Sequence, residues 1–196
     1  MQKLREKLKN KKGFTLVEMI VVLAIIGILI ALVAPNMARI IKDGQETSDA
    51  AKAKTALTAA QAYATRQVAA GRSATPAAGS GVGTATPATA FVIELTDDKM
   101  KAAYTVTPAG GGTATASTDE FMSQSGDAYL NTNVVSGDDK LYAYISNEGA
   151  VMGMVYVNGT RVKAVAGFAP TGVTADNFDS ATLKDKTFNP ANGVIS

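Results

Sequence analysis

The apolar and polar positions of this 196-residue chain change rhythm along its length. Residues 14–34 (FTLVEMIVVLAIIGILIALVA) form a 21-residue run broken by a single charge, Glu18. At about 1.5 Å rise per residue, a helix of that length spans ~30 Å, the thickness of a bilayer's hydrocarbon core. From Asn36 the pattern turns amphipathic. Met37, Ile40, Ile41, Ala53, Leu57, Ala60, Ala64 and Val68 recur at intervals built from three and four, while Lys42, Asp43, Glu46, Asp49, Lys52, Lys54 and Arg66 take much of the remainder. Gly71 is the first stop signal. The spacing predicts one helix from Phe14 to about Ala70, roughly 85 Å long.

Beyond it the pattern shortens. Residues 71–90 (GRSATPAAGSGVGTATPATA) and 108–118 (PAGGGTATAST) read as low-complexity loops. The stretch Gly79-Ser80-Gly81-Val82-Gly83 lacks the following Lys-Ser/Thr and the clear preceding strand that a phosphate loop needs. Residues 91–95 form a short apolar run compatible with strand or helix, residues 99–107 alternate loosely as a strand does, and residues 119–133 give no clear period. Residues 141–168 carry the strongest strand signal. KLYAYIS, Asn147-Glu148-Gly149, AVMGMVYV, Asn158-Gly159 and TRVKAVAGF read as a three-stranded meander, with Asn158-Gly159 as a two-residue hairpin turn. Alternation groups Leu141, Ala143 and Ile145 on one strand face, Val151, Val155 and Val157 on the next, and Val162, Ala164 and Ala166 on the third. Arg161 and Lys163 turn away. One sheet face is then free to cover the amphipathic half of the helix, an α+β arrangement.

Composition narrows the chemistry. The chain has no Cys and no His, which excludes thiolate catalysis, disulfides and the commonest general base. A non-enzymatic role without cofactors is expected. The formal net charge is +2, but residues 1–13 carry six basic side chains and one acidic, leaving the other 183 residues at −3. A basic leader before an apolar run reads as a signal peptide, a plain anchor, or a processed anchor. For a signal peptide the run is long, and its small-residue exit at Ala34 meets Pro35. A plain anchor held by the positive-inside rule leaves Glu18 unexplained, since an intramembrane carboxylate costs about 2.5–3.5 kcal/mol.

The residues Lys11-Lys12-Gly13-Phe14-Thr15-Leu16-Val17-Glu18, the apolar run and Pro35 together resemble the processing site of the type IV pilin superfamily. The resemblance implies cleavage by prepilin peptidase after Gly13, N-methylation of Phe14, and polymerisation through the helix. It also implies an α+β pilin fold, a long transmembrane then amphipathic helix packed on a C-terminal antiparallel β-sheet. Glu18 would pair with the new α-ammonium on Phe14, in the same chain or a neighbour, which compensates a buried carboxylate. Gly27 weakens the helix or permits close helix packing, and Pro35 bends or locally opens it.

On this reading the chain divides into a cleaved leader (1–13), a membrane and assembly half-helix (14–35), an amphipathic half (36–70), a loop-rich connection (71–140), a meander (141–168) and a tail (169–196). The precursor would cross the cytoplasmic membrane once, N-terminus inside, with prepilin peptidase and a pilus platform protein and ATPase as partners. The mature form would be an extracellular homopolymer serving adhesion or motility. A pseudopilin of type II secretion or competence and a membrane-tethered surface binding module are the alternatives. Many relatives tie the tail with a disulfide, which this chain cannot form. Some pseudopilins bind calcium through C-terminal carboxylates, making Asp176, Asp179 and Asp185 candidate ligands, although their spacing matches no EF-hand loop. Residues 71–196 hold eight basic and twelve acidic side chains, which argues against nucleic acid as a partner. Phe14 and Tyr63 are the only helix aromatics, so electron conduction has no support.

Overall fold

The structure is a computed structural model and describes residues 13–76, 81–82, 90–110, 112–124, 126–168 and 178–196. Helix α1 (Leu16–Ala69) realises the long helix. After it come strands β1 (Ser73–Ala74), β2 (Gly81–Val82) and β3 (Ala90–Glu94), helix α2 (Asp97–Ala103), and strands β4 (Tyr104–Val106), β5 (Thr115–Ala116), β6 (Met122–Ser123) and β7 (Leu130–Asn131). The meander follows as β8 (Asp139–Ser146), β9 (Val151–Asn158) and β10 (Arg161–Gly167), then helix α3 (Ser180–Leu183) and strands β11 (Phe188–Asn189) and β12 (Val194–Ile195). The chain separates into two compact units, Met1–Gln45 and Glu46–Ser196.

In the second unit, Ala53, Ala56, Leu57, Ala60, Tyr63, Ala64 and Gln67 are the buried stripe of α1. Small side chains at four of these positions let the helix backbone approach its neighbours closely. The expected apolar stripe is corrected at both ends: Met37, Ile40 and Ile41 are exposed, and Val68 is half-exposed. Counting apolar letters passes over Tyr63 and Gln67, which the fold buries completely. Tyr63 meets Tyr104, Phe121 and Tyr129 edge-on, with ring centroids 5.8, 5.3 and 5.4 Å away. Gln67 donates through Nε2 to Asp119 Oδ2 (2.9 Å) and accepts from Arg72 through Oε1 (3.0 Å), so its buried amide is satisfied. The helix ends in a Schellman motif: Arg72 N–H bonds the Gln67 carbonyl, Gly71 N–H bonds that of Val68, and Gly71 takes φ +79°.

The main sheet has the order β10-β9-β8-β3-β2, with every neighbouring pair antiparallel. The three-stranded meander is present, and residues 91–95 resolve as the strand that extends it beside β8. Both faces of this sheet are buried, where one was expected. Phe91, Ile93, Leu141, Ala143, Ile145, Val151, Met154, Tyr156 and Ala164 share a core with α1. Val92, Tyr142, Tyr144, Val155, Val157, Val162 and Val165 form a second core with Leu183, Phe188 and Ile195 of the tail.

Two irregularities explain why the simple alternation fails. The register shifts between Tyr144 and Ile145 opposite β9, and between Val162 and Ala164 in β10. Each extra residue exchanges inside and outside from that point on. Val151 therefore parts from Val155 and Val157, and Val162 from Ala164. The hairpin turn is also displaced by one residue. Arg161 pairs with Asn158, so Gly159-Thr160 is the turn, with Gly159 at φ +61° in the position a type II′ turn reserves for glycine.

Elsewhere residues 99–103 are helical, contrary to the strand expectation, because Thr96 caps α2 by accepting from Lys99 N–H. Asp97, in its first turn, accepts from Phe121 N–H (2.7 Å), Met122 N–H (3.2 Å) and Lys101 Nζ (2.6 Å). Burial raises the Asp97 pKa, but these donors outweigh it and hold the carboxyl below its ordinary value. Glu94 is likewise raised by burial and lowered on balance, by Lys99 and Lys140. The expected loops at 71–90 and 108–118 contain the short strands β1, β2 and β5; the Gly-rich stretch 79–83 lies largely outside the described residues.

Candidate processing and assembly site

Every large apolar side chain from Phe14 to Ile41 is exposed, between 43 % (Met19) and 79 % (Phe14). One helix among the described residues is long and apolar enough to cross a membrane; it contains a window of mean hydropathy 3.1 with none of its residues buried. Such a surface is unstable in water, and its stabilisation has to come from lipid or from other protein.

The junction at its start is open. Gly13 and Phe14 precede the helix, both exposed. A Cβ at Gly13 would meet nothing within 4 Å, and its φ is not positive. Nothing among the described residues asks for glycine there. The same holds at Gly27, where a Cβ would also find open space while glycine costs the helix about 1 kcal/mol relative to alanine. Pro35 lies inside α1, which continues uninterrupted through it. Its missing N–H leaves one bond of the helical ladder unmade there.

Glu18 is engaged where the helix begins. Its Oε2 accepts from Thr15 N–H (2.8 Å) and Thr15 Oγ (2.9 Å), while Thr15 Oγ accepts from Glu18 N–H (3.2 Å). This is a reciprocal capping box, with Thr15 as N-cap and Glu18 three residues on. Glu18 Oε1 accepts no hydrogen bond from the described residues, so one oxygen stays available to a cation. Phe14, Val17, Glu18, Val21 and Val22 line one shallow groove, which brings the first residue of the apolar run and the carboxylate onto the same face. Thr15 is the residue of this junction that sequence reading missed. The signal was present in the spacing T-x-x-E before an apolar run.

Residues 8–34 match the model of the prokaryotic N-terminal methylation motif. The chain carries a prepilin signature. That motif is the hallmark of type IV pilin-like prepilins, and with the apolar helix it fits a membrane-anchored precursor. It supports a prepilin or pseudopilin, and it implies processing by prepilin peptidase and assembly into a pilus-like polymer. No curated protein and no solved structure matches the chain.

The candidate metal ligands belong to the C-terminal tail. Asp176 lies outside the described residues. Asp179 immediately precedes α3, and Asp185, at φ +65°, stands 3.9 Å from Arg161. Among the described residues no three carboxylates converge on one point.

Proposed function

We propose that the chain is a structural subunit of a type IV pilus, without enzymatic activity. Prepilin peptidase removes residues 1–13, Phe14 is N-methylated, and the mature subunit polymerises through its N-terminal helix into a surface filament for adhesion or motility. Before assembly the precursor spans the cytoplasmic membrane once, its basic leader retained inside by charge. Leaving the membrane transfers the apolar half-helix from lipid to the helices of other copies, with a platform protein and an ATPase driving the exchange. The mature subunit is extracellular.

The observation that carries this reading is the arrangement at residues 13–18. An exposed glycine junction is followed five residues on by a lone carboxylate on an apolar helix, and one oxygen of that carboxylate accepts no hydrogen bond from the described residues. Cleavage creates an ammonium at Phe14, beside Thr15, and an incoming subunit can place its own ammonium against Glu18. In a low-dielectric filament core such a pair fixes the axial register. Glu18→Ala is expected to be processed normally and to assemble poorly.

Gly13→Ala tests the processing assignment. The expected result is an uncut, membrane-bound chain and no filaments. Normal processing and piliation would refute it. Copy number in sheared surface fibres then separates the finer roles: an abundant chain is a major pilus subunit, and a trace one is a minor pilin or a pseudopilin.

A further inference from the structure

Strand β10 ends the five-stranded sheet, and an edge strand presents unpaired N–H and C=O groups to any other strand. Here the tail occupies them. Val162 donates to the Lys186 carbonyl and accepts from Asp185 N–H, both at 2.9 Å, and Thr160 C=O accepts from Phe188 N–H at 2.7 Å. Ser180 Oγ serves Val165 twice, accepting from its N–H (2.9 Å) and donating to its C=O (3.0 Å). A single hydroxyl thus imitates a strand partner. The same segment lays Leu183, Phe188 and Ile195 on the second sheet face, and Tyr144 Oη donates to the Gly193 carbonyl at 2.5 Å. Lys184 pairs with Glu46 of α1.

These contacts are non-covalent, and the chain has no cysteine to make them permanent. The guard is thin: two-residue strands, a four-residue helix and one serine hydroxyl cover a seven-residue edge. Segments held this way open more readily than the sheet beneath them.

We infer that residues 178–196 are an edge guard. Docked, they keep β10 from pairing with a second copy; undocked, they leave β10 to add antiparallel to the β10 of another chain. The partner is a second copy because such a pairing is self-complementary about a two-fold axis. Centred between Lys163 and Ala164, it sets Val162 opposite Val165, whose N–H and C=O are the groups the tail now holds, and Arg161 opposite Ala166. This contact involves neither Glu18 nor the apolar half-helix, and it stands or falls independently of the filament reading.

The test uses the full chain in detergent micelles with Lys163→Cys as the only thiol. In that background the guard is loosened by Ser180→Ala with Phe188→Ala, and in a second chain it is removed by deleting residues 178–196. Hydrogen exchange at Val162 and Val165 reports undocking, and mild oxidation reports β10–β10 contact as a disulfide dimer. The expected result is at least tenfold faster exchange at both amides in the substituted chain, and a disulfide dimer several-fold more abundant than with the guard intact. Three results overturn the inference: unchanged exchange in the substituted chain, faster exchange without added dimer, or equal dimer with the guard intact. If the deletion does not fold, the substituted chain alone decides.

Discussion

Residues 14–45 and residues 46–196 obey different rules. The second region is closed: α1's small-residue stripe, two sheet faces and the tail satisfy one another, and a residue such as Tyr63 can be explained by what it touches. The first region is open. Among the described residues its apolar side chains touch little, its glycines answer no crowding, and its one early charge is held by the local cap at Thr15. A sequence that keeps an apolar surface and a glycine with no use for them among the described residues points to use outside the fold. The methylation motif, residues 8–34, ends inside that open region.

The contrast predicts unequal responses to substitution, read as denaturant unfolding of the full chain in detergent with near-UV tyrosine signals. Tyr63→Ala removes the hub of an aromatic cluster and should cost about 3–5 kcal/mol, whereas Ile26→Ala should change the unfolding free energy by less than about 0.5 kcal/mol. Equal losses would erase the distinction. Glycines give the next comparison. Gly153 lies where β9 and β10 approach, and a Cβ there would run into the Phe168 carbonyl. Gly153→Ala should cost about 1–3 kcal/mol. Gly27→Ala should leave unfolding of the closed region unchanged and raise helicity, so any defect it shows belongs to assembly.

Asp97 sharpens the closed side further. Asp97→Ala unpins the 121–122 backbone from α2 and should cost about 1–2 kcal/mol. Asp97 and Glu94 both have folded pKa values below their ordinary ones. Their stabilisation is therefore complete above the unfolded values of about 4 and is lost as pH falls through the lower folded values. Melting temperature should drop as pH is lowered below about 4, and less steeply in Asp97→Ala. An identical acid profile in that variant would remove Asp97 from the account. A local effect is expected at the start of the open region: Thr15→Ala should fray the first helical turn by about 1 kcal/mol, visible as faster amide exchange near Glu18 with no change in the closed region.

Legibility followed the same divide. The long helix, its end at Gly71, the meander and the N-terminal methylation motif were readable because each rests on local period or local punctuation. What escaped was set at a distance or by a single inserted residue. Extra residues in β9 and β10 moved Val151 and Val162 to the opposite sheet face from the one alternation assigned. Tyr63 and Gln67 were passed over because their burial depends on partners more than fifty residues away. The tail's place on the second sheet face had no local signal, since its contacts are scattered single residues. Thr15 was different: its signal was local and present, and the attention drawn by Glu18's charge hid the cap beside it.

The most direct test of the central claim is mass spectrometry of the chain recovered from membranes of cells that contain prepilin peptidase. The account predicts a mature species that begins at Phe14 and carries one added methyl group on its α-amine. A chain that keeps residues 1–13 in the presence of active peptidase, or one cut after Ala34, would contradict it.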